Sequence, residues 1–349
     1  MRLRDGIAIS GQRAPSRKRR RGRARRRRFR VRRQRDDAAR ARRAHCPRTL
    51  TDEQENTAMR IVMIATLALL ILAPAGARAC LNEMATDRAG RPYSSDGLVG
   101  ASLVYSLTHP SRDPEMDRFL IQETRKEPSF RNLNDIGVLL VRQGKLDAAL
   151  RHFRTVERLF PGRPQTAANL GTALELAGQD KEALHWIRTG LQRNPREHYG
   201  SEWLHVRILE AKLAAAGNPV YFRRHSIAGL AFGPGLVPPF PRKLPNGNDG
   251  KPLLPSWLDS SLDYQLHERI GLVKAPDPVV ANLLSDWATL HLSGGSLETA
   301  KALYELAATY GAPRDTLMQR RIAHIDQVVA RAEKRPTPGK PDCRLCGWD

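Results

Sequence analysis

The sequence predicts an all-α fold, a solenoid of helical hairpins interrupted by one Pro/Gly-rich irregular insertion. Three observations lead there: the chain matches itself at a fixed offset, apolar residues inside each matching unit recur at helical spacing, and each unit stops at a proline. An offset of 34 residues superposes Ile136 on Leu170, Gly137 on Gly171, Leu140 on Leu174 and Gly144 on Gly178. It continues with Ala149 on Ala183, Leu150 on Leu184, Phe153 on Ile187, Arg154 on Arg188 and Pro161 on Pro195. A period of this length marks stacked supersecondary units, none of which buries its apolar face alone.

Taken in order, residues 1–58 hold 21 Arg plus Lys against six Asp plus Glu, a surplus of 15 in a chain of formal charge +22. The charge is concentrated in "SRKRRRGRARRRRFRVRRQR", which has almost no apolar side chains and cannot bury a core. Residues 1–58 therefore read as an Arg-rich low-complexity segment, disordered or not translated. Met59 then opens a second candidate start. Arg60 is followed by an apolar run from Ile61 to Ala73, broken only by Thr66, and by small residues at Ala77 and Ala79. That is the three-part order of a secretory signal peptide, over residues 59–79. As a helix the run is about 20 Å long against a hydrocarbon core of roughly 30 Å, which favours a cleaved signal over a membrane span.

A start at Met59 makes the arginine block upstream sequence and excludes nucleic acid as its partner. A start at Met1 leaves open a basic nucleic-acid or nuclear-targeting arm, or an extended targeting region. Cys80 would stand first in the exported chain, the place of lipidation in bacterial lipoproteins, although Ala77 and Arg78 depart from the usual flanks. The expected location is the periplasm or the exterior. Membrane contact is expected only through the signal peptide or a lipid on Cys80. Past Ala79 there are 35 basic and 30 acidic residues, a balance that says little about partners.

Residues 80–112 read as an N-terminal linker, and residues 113–216 as helical repeats. In "DPEMDRFLIQETRKEP", Asp113 is placed to cap a helix with Pro114 at its first position, a helix expected to close the end of the stack. In the two matched units Gly137 and Ala149 are small because two helices should approach there. Gly144 lies in the connection, where positive φ is easiest, and Pro161 and Pro195 stop the second helices. After Pro195, "EHYGSEWLHVRILEAKLAAAGN" is placed as a further first helix, with His205 where the other units have glycine. Residues 217–256 form the insertion, too rich in Pro and Gly for helix or central strand. Its Leu236, Val237, Phe240, Leu253 and Leu254 argue that part of it packs across a helical surface. Residues 257–334 are a C-terminal helical region with one more unit, carried by Trp287, Ala288, Gly295, Ala300, Tyr304 and Ala307, whose Pro313 comes one residue late. Residues 335–349 read as a flexible tail.

Gly137, Leu140, Gly144, Ala149, Phe153 and Pro161, repeated as Gly171, Leu174, Gly178, Ala183, Ile187 and Pro195, resemble the tetratricopeptide repeat (TPR) family. Two positions depart from it: Leu133 and Ala167 stand where the family's first-helix tryptophan would be, and Val156 replaces a small residue late in the second helix. The resemblance implies a superhelix whose concave face, lined by first helices, binds an extended or helical peptide. The expected role is a scaffold for another protein or peptide. Side chains facing the groove would be Arg131, Asn134, Val138, Asn169, Thr172, Glu175, Trp203 and Val206. Trp203 is either an aromatic anchor on the groove or a core residue under the Pro-rich segment. The lysine and asparagine clamp that some members use for a C-terminal carboxylate is not reproduced.

Cys343 and Cys346 make a C-x-x-C in the tail. A c-type haem site needs His next, where Gly347 stands, and a zinc site needs a second ligand pair that the sequence does not supply. No cofactor and no metal are expected. In an oxidising compartment the pair reads as a local disulfide or as exposed thiols. The competing function is a periplasmic thiol/redox accessory role for this pair. The sequence has no G-x-S-x-G, H-E-x-x-H or phosphate loop, and its histidines are scattered, with His185 and His291 on repeat positions where packing or surface roles are commoner. No catalytic residue is assigned, and the chain is not read as an enzyme.

Overall fold

The computed structural model describes residues 82–110, 113–218 and 220–347. The arginine-rich block, the 59–79 signal and Cys80 lie outside the described residues. The stretch expected to be a linker is instead structured. Glu83–Thr86 (β1) and Pro92–Ser95 (β2) pair antiparallel, and Ala101–Thr108 forms a helix, α1. Asp87 builds the turn: its Oδ1 accepts from the Ala89 and Arg91 N–H groups, each at 2.9 Å. Four-residue strands carry too weak a periodic signal to be legible beside the turn residues around them.

The helices that follow are Pro114–Lys126 (α2), Phe130–Arg142 (α3), Leu146–Leu159 (α4), Pro164–Leu176 (α5), Asp180–Arg193 (α6) and Glu202–Ala215 (α7). Asp113 caps α2 by accepting from the Glu115 N–H at 2.8 Å. Helices α3–α4 and α5–α6 are the two matched hairpins, and Pro161 and Pro195 stand two residues beyond the ends of α4 and α6. The glycines on their first helices are sterically required: a Cβ on Gly137 would lie 2.3 Å from Phe153, and one on Gly171 2.5 Å from Ile187. Gly144 and Gly178 take φ of 70° and 74° in the two turns. Ion pairs repeat with the units, Arg154 reaching Glu182 at 3.1 Å and its counterpart Arg188 reaching Glu210 at 2.7 Å.

The third unit breaks the pattern. α7 packs on α6, but the chain then enters the irregular insertion, whose described residues include the one-turn helix Tyr221–Arg224 (α8). Ile227, Ala228, Leu230 and Phe240 of the insertion are buried in the main core. Beyond it come Pro255–Leu272 (α9), Pro278–Gly294 (α10), Leu297–Thr309 (α11) and Thr316–Lys334 (α12). One core lies within the matched hairpins, and a larger one gathers α7 and α9–α12 with α1 and the insertion. α7 joins them, with Leu209 in the first and Leu204 and Ile208 in the second.

The tail, expected to be flexible, is tied to the hairpin. The Asp342 N–H donates to Asp87 Oδ2 at 2.9 Å, Arg88 pairs with Asp342 at 2.9 Å, and the Thr337 N–H donates to Gly90 O at 3.1 Å. The Arg344 and Leu345 N–H groups both donate to Gly294 O, at 2.8 and 3.3 Å. Cys343 and Cys346 are joined in a disulfide that packs against Ala85, Tyr93 and Val99. Composition alone marks this segment as a tail because its ties are mostly backbone bonds, which leave no side-chain signature.

Candidate functional site

α9 supplies the wall that the repeats themselves do not. Along it Ser261, Gln265 and Arg269 fall at intervals of four, a polar stripe on one helix face, and each reaches a partner in the repeat half. Ser261 Oγ accepts from the Trp203 Nε1–H at 3.2 Å, and Gln265 Nε2 donates to Ser201 Oγ at 3.1 Å. Arg269 meets Glu175 of α5 in a two-pronged pair, with both N–H···O contacts at 2.9 Å. α9 therefore lies against the face that the resemblance assigns to a partner.

Glu175 is the node of this contact. Besides Arg269, its carboxylate receives His205 Nε2 at 2.8 Å and Lys212 Nζ at 3.2 Å. Lys212 also reaches Asp180 at 2.7 Å. Burial works against the charge on Glu175, but the Arg269 guanidinium and the hydrogen-bonded His205 ring hold its carboxyl well below the usual range. A second buried carboxylate, Glu202, lies 3.6 Å from His205 Nδ1 and bonds His198. Burial opposes its ionisation too, and the bond from His198 together with the charge of His205 lowers it. In return Glu202 raises His198 against the effect of that ring's own burial. His205 sits where the other units have glycine, and on α7 that position meets the two buried carboxylates Glu175 and Glu202.

Between α3, α5 and α9 a cleft of about 220 Å³ remains. Val138, Asn169, Thr172 and Glu175, four of the eight groove candidates, line it together. Asn134 lies beneath, 8% exposed, its Oδ1 accepting from Asn169 Nδ2 at 3.3 Å. Arg131 is exposed on α3 and does not line the cleft, and Val206 is half-buried against the core of the hairpins. Two assignments are corrected. Trp203 is 5% exposed in the main core under α9, so it is not a groove anchor. Glu175 lines the cleft but is neutralised from within the chain, so its charge is not free for a partner. The sequence reading missed α9 as a wall, although the four-residue spacing of Ser261, Gln265 and Arg269 was there to find.

The site and the fold together define an all-α helical-repeat protein with an inner cleft bounded by its own helix. No family model matches the chain. Among solved structures, a tetratricopeptide repeat protein from Parabacteroides merdae ATCC 43184 is similar at 17% identity and a TM-score of 0.26, over 62% of this chain and 67% of that one. The fold stands on the hairpins described above and not on that likeness.

Proposed function

We propose that the chain is a tetratricopeptide-type scaffold, exported to the periplasm or the exterior, that binds another protein or peptide through the inner face of α3 and α5 and performs no catalysis. Export rests on the order of charge, apolar run and small residues from Arg60 to Ala79. Binding is supported chiefly by the convergence of Val138, Asn169 and Thr172 on one cleft whose buried carboxylate is already paired inside the chain. What the cleft offers is apolar surface with amide and hydroxyl groups, and the exposed Arg142 and Glu268 at its wall, the mixed lining common to recognition sites. α9 covers the α7 end, so a partner engages the α3–α5 stretch.

The test is capture from host extract followed by calorimetry on the recovered partner. Thr172→Trp fills the cleft and Asn169→Ala removes its amide. Each should weaken binding by about tenfold or more, or ~1.4 kcal/mol, with helicity and melting temperature unchanged. Trp203→Ala serves as the folding control: it should lower stability by about 3–5 kcal/mol because it empties a core site. A folded Asn169→Ala/Thr172→Trp double variant that captures as well as the unaltered chain rejects the reading.

A further inference from the structure

α10 is apolar nearly all round and buries 13 of its 17 residues. The exceptions after Pro278 are Asn282, Ser285 and Asp286, and with Thr289 they form a polar stripe at i, i+3, i+4 and i+7. A core helix carries such a stripe only at a desolvation cost unless it meets partners. This one faces a cleft of about 650 Å³ whose other walls include Tyr304 of α11 and Arg321 of α12. The cleft is separate from the one beside α9 and shares no residue with it.

Two opposite charges face this cleft without meeting. Arg321 is 7% exposed, and its guanidinium donates to neutral oxygens: Tyr304 OH at 3.2 Å, Thr289 Oγ1 at 3.5 Å and Gly235 O at 3.1 Å. Its Nε is buried with no partner, and no carboxylate pairs with it among the described residues. Asp286 accepts from Ser226 Oγ at 2.5 Å and also makes no ion pair among the described residues. Burial pushes its carboxyl up to about 7, offset in part by Ser226, by the charge of Arg207 and by the Ala228 N–H. Tyr304, bonded to Arg321 and Thr289, feels both charges. The other ionisable side chains on the cleft are Asp315, whose carboxylate is engaged in capping α12 at the Met318 N–H, 2.8 Å away, and the exposed Arg223, Arg224 and His225.

A buried guanidinium and a half-buried carboxylate, neither of them in an ion pair among the described residues, are matched by a ligand that brings both counter-charges. We propose that this cleft binds a small zwitterion of the α-amino-acid type, its carboxylate on Arg321 and its ammonium group on Asp286. Tyr304 and Thr289, both bonded to Arg321, line the same cleft. A site that hydrogen-bonds both ends of its ligand rejects a molecule lacking either, because one buried group is then left unpaired.

The experiment is a thermal-shift screen of the full chain against the individual L-amino acids, with hits measured by calorimetry. Acetate, methylammonium and inorganic phosphate are the single-charge probes. At least one amino acid should raise the melting temperature and bind at least about tenfold more tightly than any single-charge probe. Asp286→Asn, nearly isosteric and able to keep the Ser226 bond, and Arg321→Lys should each weaken that binding about tenfold or more. Ser285→Phe, which fills the cleft from a partly exposed position, decides the matter if Arg321→Lys fails to fold. Absence of binding by every amino acid overturns the proposal. Phosphate or acetate bound as tightly as the amino acids, and indifferent to Asp286→Asn, also overturns it in favour of a plain anion site.

Discussion

Glu175 and Asp286 are both carboxylates in the folded body, and they respond to pH in opposite directions. Glu175 has a folded pKa below its unfolded value, so its contribution is fully present above roughly pH 4.5 and is lost as pH falls toward the folded value. Glu175→Gln leaves Arg269 and Lys212 facing a neutral amide and should cost about 3–5 kcal/mol at neutral pH. Urea titrations should show that gap narrowing as pH falls below about 4.5, where the unfolded chain's carboxyl protonates, and closing only at the lower pH where the folded side chain protonates too. Asp286 is raised to about 7, so the chain loses stability as pH climbs from the ordinary carboxylate range to that value. Asp286→Asn should therefore match the unaltered protein near pH 4 and exceed it at pH 8, by a few kcal/mol at most; equal slopes of stability against pH would contradict the assignment. Residues of this kind were unevenly legible. Gly137 and Gly171 announce a close helix contact by their size and spacing, whereas Trp203 stands in repeat register on the groove face. A repeat tells which way a side chain points but not which later segment covers it.

At the level of the element, the hairpins were readable because glycine, alanine and proline each answer to a local requirement that recurs every 34 residues. Ala183 is fully buried, as is its counterpart Ala149. Ala183→Trp should destabilise by about 1–3 kcal/mol or more, since a well-packed contact cannot take the added volume. A polar substitution at exposed Lys181 should stay within about 0.5 kcal/mol. Equal melting temperatures would mean that the register is wrong. α9 and α10 were legible as helices, but their polar stripes were not read as sites. Each stripe has the spacing of a solvated face, and only packing distinguishes a row that meets water from one that meets another helix or lines a cleft.

For the whole molecule, the hairpin and the tail were the least legible parts, because they are held together by residues more than 200 positions apart. Arg88 and Asp342 are separated by 254 residues. Their half-exposed ion pair is worth about 1 kcal/mol at most, so the backbone bonds and the disulfide should matter more. Cys343→Ser with Cys346→Ser opens a short loop and should cost about 2 kcal/mol. Amide exchange at Arg344 and Leu345, whose N–H groups bond Gly294, should rise at the same time. Unchanged exchange in the double variant would show that the staple does not hold the tail.

The bond between residue 87 and residue 342 also sets an order in time. A simple solenoid can nucleate at any repeat and grow outward, since each unit touches only its neighbours. Here the hairpin leaves the ribosome some 250 residues before the segment that covers it. At roughly 5–20 residues per second it waits on the order of 10 to 50 s for its partner strand of chain. During that wait the repeats between them can already have formed, and the final closure brings together two ends carried by a finished body rather than by a loose chain.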